Sequence, residues 1–240
     1  MAKKPLYKRI LLKLSGEALM GAGKFGIDQK ASKNIAAAVK EIHSMGVQIG
    51  IVVGGGNIFR GSQAKEFGFS RTPADHIGML ATTINGLILQ QSLASLGCES
   101  HVMSAFDTDS IIEKYNWQGA LDHLERGAIV IFVGGTGNPY FTTDTAAALR
   151  ASEINAQVLL KATKVDGIYD KDPIRFRSAK KFDHLTYADV LNKKLNVMDS
   201  TAIALCRENK IPIHVFNLFK KGSLLSAVTD KKVGSLVTGD

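Results

Sequence analysis

Short apolar runs that alternate with helix-periodic segments predict an α/β fold, a three-layer αβα sandwich with a largely parallel central sheet. Two further observations support it. The runs "VQIGIVV" (47–53) and "AIVIFV" (128–133) are apolar almost throughout, Gln48 excepted, as strands covered on both faces are. Composition agrees: 45% of residues are hydrophobic, only 7% are aromatic, and there are 23 glycines, a mix that suits α/β better than all-β. No linker or low-complexity segment divides the chain, so residues 1–240 are expected to form one unit.

The elements follow in order. Ile10-Leu11-Leu12 is a short buried strand, and the glycine-rich "LSGEALMGAGKFGID" after it is mostly loop. A helix starts at Asp28, which can cap it. Ile35, Val39, Ile42 and Met45 make its apolar face, and Gly46 ends it. The strand 47–53 comes next. Pro73 then sits at the start of a long helix, whose inner stripe is predicted to be Ile77, Leu80, Ile84 and Ile88, ending near Gly97. "SHVMSA" (100–105) is a third strand, and 117–127 is a helix closed by Gly127. Residues 128–150 repeat the design of strand, glycine loop and helix. A strand within 156–163 precedes another loop. Thr186 and Asp189 have the spacing of a capping box, and a helix over 200–209 leads to the strands 212–216 and "VGSLVT".

Several classes are excluded or weakened. No apolar stretch reaches the roughly 18 residues of a membrane helix. The N-terminal apolar run is broken by Lys13, which predicts a first strand rather than a signal peptide, and hence a cytoplasmic protein. Cys98 and Cys206 form no metal-type pair and read as buried free thiols. A net charge of +8 suits nucleotides or nucleic acid, but no helix-turn-helix or stacking-aromatic signature favours the latter as the main partner. His76 and His101 have no partners at metal-ligand spacing. Asp107 and Asp109 in "AFDTDS" read as a helix cap.

Open α/β sheets bind ligands outside the carboxyl ends of their strands. Four such ends carry suggestive residues: Lys13, then Gly54-Gly55-Gly56, then Gly134-Gly135 with Gly137, and Lys161. Glycines let backbone N–H groups approach a phosphate, although they also serve tight strand-to-helix turns. Neither loop is a P-loop, which needs GxxxxGK[ST]. "GGGNIF" fails the dinucleotide pattern because Phe59 stands at its last glycine. Lys13 and Lys161 each follow Leu-Leu. A strand-end lysine can simply mark where a strand meets water, but two at matching ends could clamp one anion. Arg60 could add a bidentate contact or be a solvated loop residue. Asp144 could complement a helix dipole or hold the two lysines in register. Asp75 has the same bland reading, or could bind a sugar hydroxyl.

Together "LLKLSGEAL", "GGGNIFRG", "DHIGMLAT", "GGTGNPYFTTDTAA" and "LLKATKVDGIYDKDP" resemble the amino acid kinase family, in the bacterial branch that phosphorylates UMP. The likeness runs from about residue 7 to 238. It implies the reaction ATP + UMP → ADP + UDP with Mg²⁺, in pyrimidine nucleotide (CTP/UTP) biosynthesis. It assigns Lys13, Leu14, Ser15, Gly16, Gly56, Arg60, Thr163, Tyr169 and Asp172 to ATP. It assigns Gly55, Asp75 and the run Thr136, Gly137, Asn138, Pro139, Tyr140, Phe141, Thr142 and Thr143 to UMP. Lys13 and Lys161 would stabilise the moving phosphoryl group, organised by Asp144, and Asp199 matches an acidic active-site position. Mg²⁺ would be held through ATP phosphates and not by a protein cage. The resemblance also implies a homohexamer, activated by GTP through the loop Gly21–Gly26 and inhibited by UTP. Gln90 and Ala94 depart from the basic residues that some members use for GTP. Rival readings are a relative acting on an acyl phosphate or carbamate, and a uridine-nucleotide-sensing regulator.

Overall fold

A computed structural model describes residues 4–108 and 110–239, the side chains of Ser62 and Lys65 excepted. The strands and helices run β1 (Arg9–Leu14), α1 (Gln29–His43), β2 (Gln48–Val53), α2 (Gly61–Glu66), α3 (Arg71–Ala94), β3 (Ser100–Ser104), β4 (Glu113–Lys114), α4 (Trp117–Glu125), β5 (Ile129–Val133) and α5 (Thr143–Glu153). They continue as β6 (Leu159–Thr163), β7 (Ile168–Tyr169), β8 (Lys181–Phe182), β9 (His184–Thr186), α6 (Tyr187–Asn192), α7 (Ser200–Glu208), β10 (Ile213–Asn217), α8 (Ser223–Thr229) and β11 (Ser235–Thr238). A 3₁₀ turn, Gly16–Leu19, lies in the first glycine-rich loop.

Among the described residues, nine strands form one sheet in the order β4-β3-β5-β2-β1-β6-β10-β11-β9, and β7 and β8 make a separate ribbon. Within the nine, only the β10–β11 pair is antiparallel. Alternate side chains point to opposite faces. On β1, Ile10, Leu12 and Leu14 pack with α1, α3 and α8, through Ile35, Val39, Leu89 and Leu224. Leu11 points the other way, to the layer of α4, α5, α6 and α7. The predicted three layers are therefore present. The same alternation puts Lys13 on the α5 side, and Lys161, two residues after Leu159, follows it there.

The caps predicted at Asp28 and Thr186 are present. Asp28 accepts a hydrogen bond from the Ala31 amide at 2.6 Å, and Thr186 and Asp189 form a reciprocal capping box. Two expectations fail. The inner face of α3 is not the Ile77–Ile88 stripe: Leu80, Ile84 and Ile88 are 53%, 47% and 39% exposed. The buried face carries Ala74, Ala81, Thr82, Asn85, Gly86, Leu89 and Leu93. The cause is close approach to the sheet, since a Cβ at Gly86 would sit 2.4 Å from Val133 Cγ1. The narrow side of the helix must therefore face inward. Asp107 caps no helix; it pairs with Lys114 at 2.7 Å in the turn before β4. Asp109 lies outside the described residues. Cys98 and Cys206 are free and buried, and burial pushes the Cys206 thiol up to about 12.

Candidate active site

Parallel pairing sets Lys13 directly opposite Lys161 on adjacent strands. Both ammonium groups reach Asp144, in the first turn of α5. Lys13 Nζ lies 3.0 Å from its Oδ1 and Lys161 Nζ 2.8 Å from its Oδ2. Lys161 also donates to the Val197 carbonyl. All three side chains are largely buried, each less than a fifth exposed. Burial alone would raise the Asp144 carboxyl, but the two ammonium groups outweigh it and hold the group below the ordinary carboxylate value. Burial likewise lowers Lys161, with Asp144 opposing and Lys13 reinforcing the shift. Oδ1 of Asp144 has no well-aligned hydrogen bond, so its contact with Lys13 is an ion pair of poor angle. Two ammonium groups thus share one buried carboxylate, with Asp199 near enough to add its charge to the field at Lys161.

Around it the helix starts are tied together. Thr142 caps α5, accepting from the Asp144 amide at 3.0 Å, and its hydroxyl donates to Asp199. Asp199 also accepts from Thr145 Oγ1 at 2.9 Å and caps α7 through the Ala202 amide at 2.8 Å. Its role in the geometry is to pin α7 to α5, one residue from the lysine-bound carboxylate.

The first glycine loop answers to packing as well as to any ligand. A Cβ at Gly16 would meet Asn57 Oδ1 at 2.4 Å and Gly54 O at 2.7 Å, and one at Gly55 would meet Gly78 O at 2.7 Å. Gly56 has open space instead, so its backbone can face a ligand. The loop is held by a buried amide pair, Asn57 and Asn85, which exchange two hydrogen bonds at 2.7 and 3.0 Å. Asn85 also donates to Gly54 O.

A cleft of about 260 Å³ opens beside this loop. Of the residues predicted for UMP, it is lined by Gly55, Asp75, Thr136, Asn138, Phe141, Thr142 and Thr143. Gly137, Pro139 and Tyr140 shape the loop without lining the cleft; Gly137 sits on Ala105, and Tyr140 adopts a left-handed backbone, φ 73°. Asp75 Oδ2 accepts from the Tyr140 amide at 2.7 Å and from Arg71 Nε at 2.6 Å, fixing the loop tip to α3. A larger cavity of about 1080 Å³ lies between α1 and residues 218–225, the turn into α8 and its first residues, and none of the predicted ATP or UMP residues lines it. The smaller one is lined by Arg71 and Asp75 and, through Thr142 and Thr143, reaches the start of α5, which carries Asp144.

The predicted ATP residues are less unified. Leu14 is a core side chain that can offer only its backbone. Ser15 caps the 3₁₀ turn. Arg60 donates to Gly56 O at 3.0 Å and pairs with Glu17 at 3.3 Å. Glu17 also pairs with Lys164 at 2.7 Å, and that hydrogen bond holds its carboxyl low. Thr163 donates to Val165 O. Tyr169 and Asp172 have other partners: Tyr169 donates to Asp166 at 2.5 Å, which pushes its phenol up to about 12, and Asp172 meets Ile174 and Arg175. Sequence reasoning missed Glu17, Asn57, Asn85, Thr145 and Arg71. Only Arg71 left a readable signal, four residues before Asp75.

Fold and site define a class: an α/β protein with a largely parallel sheet that sets two buried lysines, one in β1 and one within β6, on a single carboxylate. The model of the Amino acid kinase family matches residues 8–217, and the chain belongs to that family. It is 58% identical over 232 residues to the "Uridylate kinase" of Protochlamydia amoebophila (strain UWE25), covering 96% of this chain and 92% of that protein. The crystal structure of UMP kinase from Bacillus anthracis superposes with a TM-score of 0.95 at 40% identity, over 98% of this chain and 97% of the other. UMP kinase from Ureaplasma parvum gives 0.91 at 38%, over 99% and 100%.

Proposed function

We propose that this chain is an enzyme that transfers the γ-phosphoryl group of ATP to UMP, giving UDP and ADP for pyrimidine nucleotide synthesis. The observation that carries this reading is the pair Lys13 and Lys161, side by side on adjacent strands and bound to one buried carboxylate. A transferring phosphoryl spreads negative charge over its outer oxygens, and fixed cations stabilise that charge without reorganising. An oxygen of the UMP phosphate attacks the γ-phosphorus, and the bond to the ADP oxygen breaks. The acceptor is already an anion, so no strong general base is needed. That fits a cluster with no histidine in it. Asp144 keeps the ammonium groups in register, and Asp199, through Thr142 and Thr145, keeps α5 in place.

The cleft at Asp75, Thr136 and Asn138 is the proposed UMP pocket, and Gly16, Gly56 and Arg60 the proposed ATP-phosphate contacts. Glu17 occupies Arg60 and Lys164 as a stand-in anion, which ATP phosphates would displace. Mg²⁺, when bound with ATP, would neutralise phosphate charge. The nearby carboxylates Glu17, Asp75, Asp144 and Asp199 are already engaged by protein donors, so the residues fit an ion held by phosphates and water.

A homo-oligomer, in the hexameric form the resemblance implies, is supported by the exposed stripe Leu80, Ile84 and Ile88. The Gly21–Gly26 loop is the proposed GTP-responsive segment. Its Gly26 amide donates to Asn57 O at 2.8 Å, a direct link to the glycine loop. Gln90 is taken up by the Ser100 carbonyl and Ala94 offers no charge, so any GTP contact here uses other residues. UTP, with the uracil and ribose of UMP, would inhibit at the UMP cleft. No helix among the described residues is long and apolar enough to cross a membrane. ATP as donor and two buried free thiols fit a cytoplasmic setting.

The test offers UMP, CMP, AMP and GMP in turn with ATP and Mg²⁺ in a coupled ADP assay. UMP should be the preferred acceptor. Preference for acetylglutamate, aspartate or carbamate in the same assay would overturn the reading.

A further inference from the structure

Outside the cleft described above, the fold brings together a second group of chemistry-bearing side chains. His101 comes from β3, Glu113 from β4 and His123 from α4. One ligand atom from each lies within 4.8 Å of the others. His123 Nε2 is 3.2 Å from Glu113 Oε2, and the two imidazoles stack with centroids 3.7 Å apart and planes 17° from parallel. Glu99 adds a carboxylate 3.1 Å from His101 Nε2. Residues 22 apart in sequence meet because β3 is paired with β4, and α4 follows β4 directly. Spacing along the chain gave His101 no partner; pairing across the sheet edge gives it two.

We infer that His101, Glu113 and His123 form a binding site for a borderline divalent transition-metal ion such as Zn²⁺. Two imidazoles and a carboxylate are the donors that Zn²⁺ takes, and they disfavour Mg²⁺, which prefers all-oxygen surroundings. Ligands about 2.1 Å from a shared tetrahedral ion lie about 3.4 Å from one another. The observed spread therefore closes with an ångström or so of movement, together with a turn of the two stacked rings that brings the ion into both ring planes. The side chains are 32%, 44% and 21% exposed, which leaves them room to move and an open route for the ion. Their backbones need not shift, since each is held in a strand or helix. Glu99 is placed to orient the His101 ring, as carboxylates orient metal-bound imidazoles elsewhere, or to fill the fourth position. The site shares no residue with the lysine cluster. It would cross-link the sheet edge to α4. Ala105, just past the end of β3, supports Gly137 of the proposed UMP loop, so the clamp lies one strand away from that loop.

The experiment uses the full chain without an affinity tag, stripped with chelator and titrated with Zn²⁺ by calorimetry, with Co²⁺ absorbance as a second readout. One ion per chain should bind and raise the melting temperature, and millimolar Mg²⁺ should not compete. His101→Ala and His123→Ala should each weaken binding by more than about 100-fold. Glu113→Gln, the milder change, should weaken it without altering circular dichroism. His76→Ala and His184→Ala should leave it intact. Failure to take up Zn²⁺, equal competition by Mg²⁺, or uptake unchanged in His123→Ala would overturn the proposal.

Discussion

At Asp144 two ammonium groups meet one carboxylate, and each partner constrains the others. Replacing it by Asn leaves two close lysines without their counter-charge in a largely buried place. Asp144→Asn should therefore cost about 3 kcal/mol of stability near neutral pH, the usual scale for breaking a buried ion pair. The folded carboxyl is held below its ordinary value, so its contribution is complete above the ordinary carboxylate range and fades as acid titrates it in the folded state. The stability gap between wild type and Asp144→Asn, read by denaturant melts across an acid series, should narrow as pH falls. A gap that stays constant would contradict the ion-pair account. Asp75 belongs to a different function. It fixes Tyr140 and borders the cleft, so Asp75→Ala should chiefly raise the KM for UMP while leaving that for ATP near normal. An unchanged KM for UMP would remove it from the pocket. These residues also mark what a sequence can reveal about a site. Lys13 and Lys161 were legible because each ends a run of Leu-Leu on a covered strand. Glu17 and the Asn57–Asn85 pair were not, because their meaning lies in which loops meet across space.

The helix α3 shows how element-level reading can find a helix and still turn it the wrong way. Its length and start were legible from Pro73 and the apolar spacing. Its orientation was not, since Leu80, Ile84 and Ile88 satisfy the same 3.6-residue period as a core stripe. What decides the matter is the sheet, which approaches so closely at Gly86 that only small residues fit there. Neighbouring positions should thus respond in opposite ways. Leu89→Ala, fully buried, should lose about 2–5 kcal/mol. Ile84→Glu, on the outward stripe, should leave the melting of the subunit nearly unchanged and, if the proposed oligomer forms through this stripe, lower the mass seen by light scattering. A strongly destabilised Ile84→Glu of unaltered mass would contradict the orientation described. The strands β4, β7, β8 and β9 escaped notice for a simpler reason: at two or three residues each, they are too short to show a period.

Across the whole molecule, one sheet connects its parts. The covered strands β1, β2, β5 and β6 were legible as continuous apolar runs, and their alternation with helices was enough to give the layers. Strand order is a property of crossovers, and it is what puts β1 beside β6 and so Lys13 opposite Lys161. The central claim is that these two lysines act as one device on a single phosphoryl group. The most direct test is the turnover number for UMP in Lys13→Ala, Lys161→Ala and the double variant, each checked for folding by circular dichroism. Each single change should lower kcat by about 10²–10³, the cost of losing one transition-state contact. The double variant should fall well short of the product of the two losses, because groups that act as a unit are not additive. Near-normal turnover in either single variant, or strictly multiplicative losses in the double, would contradict the account.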